Sequence, residues 1–460
     1  MDRGEVRRVT VGVRDLARAR GLYEGMLGMR PVAEWRVDAQ AVGSEPNGRR
    51  LALTLGLVEP ATVAAVDLEQ PGTAVGAVRL VCVGDGAGER INERAAAYDH
   101  GYVKNLDFFT DDVRGQFGRF VEAGLKFLAP PVDYAVAWGQ GAVATEAHLP
   151  TEDGVKISLA KMAGVPRMAM GRSGRETNFT EVAAATQIVK DFERAESFYC
   201  DVLDLVPAAP TVIEGELIEA LHLPAGTRLR MSFLSGRDAA GGRVGLVSYE
   251  GPGVADALDL QTRVRAPYRG ILGLTFEVED VEYVTRRALA LGASLRCSPG
   301  EQRVGGVSSF TSTVVSPDGI PLLFETNSTR LASLSADPVP ASNVQSGGEA
   351  RGDAFTSACR LDELTAGSIR EHRPKDGSSR LAIANVAGEV FAFEDRCPHL
   401  GAPLSRGEMR GRTLVCPWHG WMIDVPTGQV AGGRGAAVRP CAVRVRSGEV
   451  EVAALKKADA

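Results

Sequence analysis

Four residues toward the end of the chain have types and spacing that could do redox chemistry: Cys397 with His399, and Cys416 with His419. Each short segment carries one thiol and one imidazole, and sixteen residues lie between the two segments. Two thiolates and two imidazoles suit either a zinc ion or a [2Fe–2S] cluster. Zinc fingers keep like ligands together, Cys with Cys and His with His. Here each segment holds one of each, and a Cys-x-His pair cannot easily bring both side chains onto one ion. It can straddle two irons, one ligand to each, and the second segment can do the same. Thiolates suit one iron, while imidazoles on the other keep the cluster less negative and raise its potential. Gly401 and Gly420 permit close backbone approach, and Pro398 and Pro417 stiffen both loops. The expected chemistry is transfer of one electron at a time.

These loops need a rigid frame. The stretches Leu381–Val386 and Val390–Phe393, the turn Thr427-Gly428 and the alternation Val443-Arg444-Val445-Arg446 read as short strands of a small antiparallel domain. Motif and strands together, over about residues 354–454, resemble the Rieske [2Fe–2S] ferredoxins. That resemblance makes Cys397, His399, Cys416 and His419 the cluster and metal ligands, with the [2Fe–2S] cluster as cofactor. Ala402 and Trp418 stand where respiratory relatives carry a disulfide, and Trp421 and Ile423 where they carry hydroxyl donors. Fewer donors favour the oxidised form, so the expected potential lies at the low end of the Rieske range, about −150 mV. Catalytic subunits of Rieske oxygenases place the cluster domain first and add a mononuclear iron. Here the cluster segment comes last and a paired-His motif is missing elsewhere, so a complete oxygenase subunit of that type is not expected.

Upstream, residues 331–353 are rich in Ser, Ala, Pro and Gly and poor in large apolar residues. Such a segment cannot bury enough surface to order itself and reads as a linker. Before it the chain repeats. Asp15 leads through an amphipathic stretch to Leu22-Tyr23 and Leu27, and Asp191 leads likewise to Phe198-Tyr199 and Leu203. Asp112 and Asp280 open weaker echoes. Each Asp is placed to cap a helix that follows a β-rich run. Asp153-Gly154 and Asp318-Gly319 then read as turns into a last strand.

Four strand–helix–strands units, pairing into halves that repeat at roughly 170 residues, resemble the vicinal oxygen chelate superfamily, which includes glyoxalase I, extradiol dioxygenases and bleomycin-resistance proteins. The resemblance covers about residues 5–328. It implies an α+β fold of tandem βαβββ modules forming two vicinal oxygen chelate domains (1–165 and 175–330), followed by the linker (331–353) and the small antiparallel all-β Rieske domain (354–454). Family enzymes hold a metal with a His on a module's first strand and a Glu after the Asp-Gly turn. Those positions here are Arg8, Asn105, Ala184 and Gly273, then Ser158 and Leu323. None suits the role. His100, His148 and His222 are the only histidines in the region, and a lone His more often packs or faces solvent than ligates. An additional mononuclear iron would need an unusual site built from them. Asp107 and Glu325 are the nearest carboxylates, sharing strand parity with Asn105 and Leu323. Tyr102, Phe108, Phe109, Tyr134 and Trp138 could line an apolar cleft for a planar molecule, or belong to the core.

A net charge of −6 gives no basic surface for nucleic acid, and no run of about 18 apolar residues suggests a membrane span. The charged first residues, with no apolar stretch behind them, do not read as a secretory signal. Seven scattered cysteines, an odd number, fit free thiols in a reducing cytoplasm. Catalytic residues outside the cluster remain unknown at this level. The expected function is an oxidoreductase. Its cluster exchanges single electrons with a small organic substrate, aromatic or cyclic, in the dioxygenase-like region, and an external reductase or electron donor serves it. The alternative is a non-catalytic small-molecule binding domain of resistance type with an electron-transfer or redox-sensing tail.

Overall fold

The computed structural model describes residues 4–93, 95–138, 140–164, 177–236, 241–327, 355–374, 379–398, 403–416, 422–430, 437–446 and 448–453. Four aspartates cap four helices. Asp15 accepts from the backbone N–H of Arg18 at 3.1 Å, Asp112 from Gly115 at 2.9 Å, Asp191 from Arg194 at 3.0 Å and Asp280 from Tyr283 at 2.8 Å. Each satisfies an orphan amide of a first turn, worth about 1 kcal/mol. Gly154 and Gly319 adopt φ of +80° and +83°, the left-handed conformation that turns the chain into the final strand of two modules.

The modules are β1 (Val6–Gly12), β2 (Arg30–Val37), β3 (Val63–Glu69) and β4 (Ala77–Val83); β5 (Tyr102–Phe109), β6 (Val132–Ala135), β7 (Val143–Pro150) and β8 (Lys156–Ala163); β9 (Val182–Ile188), β10 (Val206–Pro207), β11 (Thr211–Ile213), β12 (Arg228–Ser235) and β13 (Arg243–Glu250); and β14 (Gly270–Glu277), β15 (Ser294–Val304), β16 (Val307–Val315) and β17 (Pro321–Asn327). In each, the first strand runs parallel to the last. Only a crossover of helix and further strands can join parallel neighbours.

The first module does not share a sheet with the second, nor the third with the fourth. One sheet runs β15-β16-β17-β14-β1-β4-β3-β2, joining the first module to the fourth through antiparallel β1·β14. The other runs β10-β12-β13-β9-β5-β8-β7-β6, joining the second to the third through β5·β9, with β11 on β12. One face of both sheets packs into a common core with the helices, including Val9, Val11, Leu106, Phe108, Ile157, Phe276 and Phe324. Alternate residues face the other way, into two concave surfaces. Each is covered by an inserted helix. Leu51 and Leu55 of helix Pro46–Leu55 pack with Trp35 and Ala65 over the first sheet. Leu217 and Ile218 of helix Glu216–Ala220 pack with Phe109, Ala144 and Met162 over the second.

The chain divides into two compact units, Met1–Leu334 and Ser335–Ala460; the expected linker lies outside the described residues. The second unit holds β18 (Phe355–Arg360), β19 (Ile369–His372), β20 (Leu381–Val386), β21 (Glu389–Glu394), β22 (Glu408–Arg410), β23 (Thr413–Val415), β24 (Met422–Asp424), β25 (Pro440–Cys441), β26 (Val443–Arg446) and β27 (Glu449–Ala453). They form three small sheets, β18-β27-β26, β19-β20-β21-β25 and β22-β23-β24, with every pairing antiparallel. Ala387 and Gly388, both at positive φ, make the two-residue turn between β20 and β21. Among the described residues no helix is long and apolar enough to cross a membrane.

Candidate functional sites

In the first sheet, Arg8 and Thr10 alternate with core-facing Val9 and Val11 and so face the concave side. Arg8, at an expected histidine position, donates to both carboxylate oxygens of Glu325 at 3.1 and 2.9 Å. Asp67 and Arg79 form a second pair nearby, at 2.6 Å for both contacts. The space left beside Thr10, Gly273 and Leu323 is only about 40 Å³. An ion pair stands at the position the resemblance gives to a metal ligand, and helix Pro46–Leu55 packs over the sheet beside it.

The second concave surface differs. A β-bulge between Val103 and Asn105 brings Lys104 to the same side as Asn105. Asn105 and Asp107 on β5, Lys156 and Ser158 on β8, Glu146 and His148 on β7, and Thr186 on β9 meet there, in register: Asn105 lies against Lys156 and Thr186, and His148 against Ser158. Asp107 accepts from Asn105 Nδ2 at 2.6 Å and from Thr186 Oγ1 at 2.9 Å. His148 Nε2 lies 3.2 Å from Glu146 Oε2, without the alignment of a hydrogen bond. His148 Nδ1 and Ser158 Oγ are buried and have no hydrogen-bond partner among the described residues. Lys104 donates to the Ala97 carbonyl and to Tyr249 Oη, the latter at 3.2 Å.

Burial sets the charges. It pushes the Asp107 carboxyl up, helped by the negative charge of Glu146 and resisted by Thr186 and Asn105. Burial works against Glu146 as well, but the adjacent His148 imidazole, together with the Lys156 charge, holds it below the ordinary carboxylate value. Burial and the nearby Lys156 charge lower His148, so its imidazole is neutral near pH 7. Burial drops Lys156 to about 8, against the pull of Glu146 and Asp107, and also holds Lys104 well below the ordinary lysine range.

Among the described residues no group of three His, Cys, Asp or Glu side chains is placed to hold a metal ion. The three histidines are not brought together: His100 sits 3.9 Å from Asp259, His222 follows helix Glu216–Ala220 at φ +55°, and His148 meets Glu146. Lys156 already supplies a cation where a metal would neutralise carboxylates, and that removes the electrostatic reason for one. The aromatic candidates divide. Phe108 is core on the helix side. Phe109, Tyr134 and Trp138 belong to the apolar part of the second cleft, with the Trp138 ring tilted against Phe233 at 5.2 Å between centroids and its Nε1 donating to the Ala209 carbonyl. Glu325 is the partner of Arg8 rather than a surface charge. Sequence reasoning did not single out Glu146, Thr186 or the role of Lys156; strand parity with Ser158 was the signal that could have found Lys156.

In the second unit Cys397 follows β21 and Cys416 follows β23. Both are buried and in no disulfide, in one apolar cluster with Phe393, Leu404, Leu414 and Ile423. Asp395 pins the first loop, accepting from Ser405 N at 2.7 Å and Ser405 Oγ at 2.8 Å. β23 and β24 pair Val415 with Met422, and Cys416 directly follows β23. His399 and His419, with Gly401, Ala402, Pro417, Trp418, Gly420 and Trp421, lie outside the described residues. Two buried, unbridged thiols on strand ends, each followed in sequence by a histidine, fit a cluster held partly by sulfur.

Comparison with known proteins agrees with both units. The family model described as Glyoxalase/Bleomycin resistance protein/Dioxygenase superfamily matches residues 6–159 and 181–324, and that described as Rieske [2Fe-2S] domain matches 355–444. The chain therefore belongs to the glyoxalase/bleomycin resistance/dioxygenase superfamily and carries a Rieske [2Fe–2S] domain behind it. Ferredoxin CarAc of Metapseudomonas resinovorans is 35% identical over 110 residues, 22% of this chain and 96% of that protein. The 4beta-methylsterol monooxygenase of Methylococcus capsulatus is 55% identical over 48 residues, but these span only 13% of its length and 10% of this chain. Glyoxalase I from Zea mays, 16% identical, aligns with 73% of this chain and 96% of its own at a TM-score of 0.48. The class is that of an electron-transfer oxidoreductase with a [2Fe–2S] cofactor.

Proposed function

We propose that Cys397, His399, Cys416 and His419 hold the cluster, and that it exchanges single electrons with a small aromatic or cyclic molecule bound on the second concave surface. One observation carries the substrate site: His148 Nδ1 and Ser158 Oγ, opposite each other on β7 and β8, are buried polar groups that nothing in the described chain satisfies. Leaving such groups unpaired costs about 1–3 kcal/mol each, so they suit a ligand's polar atoms. Phe109, Tyr134 and Trp138 offer the apolar wall. The cluster supplies or removes one electron at a time. The residues of the cleft bind and orient the ligand, and neutral His148 beside Glu146 can hold a proton that accompanies the electron. An external reductase or other donor would serve the Rieske domain, as a ferredoxin-like sequence suggests.

The absence of a three-ligand metal group among the described residues favours a second reading, a binding module whose redox tail acts elsewhere. Stopped-flow absorbance of the anaerobically reduced chain separates the two. A panel of aromatic and alicyclic compounds is mixed in, and reoxidation of the cluster is followed. The first reading expects at least one compound to accelerate it, and His148→Asn to reduce that acceleration. Compounds that bind without changing the reoxidation rate would leave the second reading standing.

A further inference from the structure

Beside the second concave surface lies a cavity of about 190 Å³ whose charged lining residues are Lys104, Lys156 and Arg90, with no carboxylate among its walls. At about 30 Å³ per water, that is room for a single ring or short chain bearing a carboxylate. The sequence gives this lining weight. The chain has only eight lysines against forty-four arginines, yet two of the eight meet here. Both are more than nine-tenths buried, which is rare for lysine. Lys156 makes no hydrogen bond among the described residues, while Lys104 uses the Ala97 carbonyl and Tyr249 Oη and keeps a donor to spare. The acidic groups facing these cations stand behind or beside the cavity: Glu146 and Asp107 toward Lys156, Asp99 toward Lys104, and Glu93 paired with Arg90 at 2.7 Å. Tyr102, Leu128 and Val155 complete the wall with mostly apolar surface.

We propose that this cavity receives the carboxylate of a small organic acid, held by the Lys156 and Lys104 side chains, so that the ligand of the second cleft is an anion. The inference rests on the reading of that cleft as a substrate site and narrows its chemistry. An ammonium group in this apolar wall supplies the opposite charge that a buried carboxylate needs. Lysine suits the task better than arginine because it can shed its proton when the cavity holds no anion.

Calorimetric titration of the oxidised full-length chain with benzoate, benzamide and inorganic phosphate tests this without any electron transfer. Benzoate is expected to bind, and benzamide about tenfold or more weakly, since it lacks the charge for a charge-assisted contact. Lys156→Met is expected to abolish that preference and Lys156→Arg to retain part of it. Should Lys156→Met not fold, the unmutated chain labelled at the lysine ε carbons gives eight signals, and benzoate must raise the titration midpoint of the lowest-titrating ones while benzamide must not. Equal affinity for benzamide, no binding of benzoate, tighter binding of phosphate, or unmoved lysine midpoints would overturn the proposal. If benzoate binds as expected while no compound alters cluster reoxidation, the anion site stands and only the electron-transfer reading of the cleft falls.

Discussion

The Arg8–Glu325 pair is the sharpest test of the view that the first cleft has become structure rather than site. Glu325→Leu removes one partner of a pair whose side chains are 12% and 17% exposed. Breaking a buried pair on one side costs about 3–5 kcal/mol, because the remaining charge stays behind unpaired. Arg8 keeps the attraction of Asp67, which places the expected loss at the lower end, about 3 kcal/mol. At about 2 °C per kcal/mol for a large domain, the melting transition of the first unit should fall by about 6 °C in scanning calorimetry. Arg8→Met with Glu325→Leu replaces both charges by apolar groups of similar reach, and such replacements come out near neutral. The double variant should therefore melt within about 2 °C of the parent. A single variant that melts with the parent, or a double variant as unstable as the single, would refute the reasoning. Either result would mean the pair does not hold the centre of the sheet.

Asp107 should give the protein an unusual pH signature. Burial and the Glu146 charge raise its carboxyl to about 7 in the folded chain, well above the ordinary aspartate range. Its stabilising contribution is therefore full in acid and lost as pH rises through the folded value. Asp107→Asn should gain stability relative to the parent between about pH 4 and 7, read from urea midpoints; parallel profiles would remove Asp107 as the cause. Asp191→Ala deletes the cap on Arg194 N and should cost about 1 kcal/mol, with Asp191→Asn largely restoring it. Cys397→Ser should abolish the visible absorption and paramagnetic signal of the cluster while leaving the melting transition of the first unit in place. In the parent, voltammetry should give about −150 mV, since apolar Ile423 stands where relatives carry a hydroxyl; a strongly positive value would contradict that.

Much of this was legible in the chain, for physical reasons. The aspartate caps and the Asp-Gly turns are local signals, dictated by orphan amides and positive φ, and all of them hold. Strand parity put Asp107 on the face of Asn105 and Glu325 on the face of Leu323, because a pleat allows only two directions. The partners of those residues were not legible. Glu325 lies 317 residues from Arg8, and no local rule says that the fourth module closes on the first. Lys156 passed as part of a turn sequence, because its meaning depends on Glu146 and Asp107 arriving from two other strands. Cys397 and Cys416 stood out from spacing alone as ligand candidates, since metal chemistry constrains types and intervals more tightly than packing does.

The nesting of the sheets imposes an order of events on synthesis. β1 pairs with β14 through contacts such as Val9 with Leu274, while β5 pairs with β9 within a much shorter span. As the chain leaves the ribosome, the inner two modules can close on each other while the first still waits for its mate. Throughout that interval β1 presents an open edge of Val-rich backbone, the kind of surface that invites pairing with other chains. The fold closes like a pair of brackets, inner before outer, and a nascent chain stopped before β14 would carry the outer bracket open.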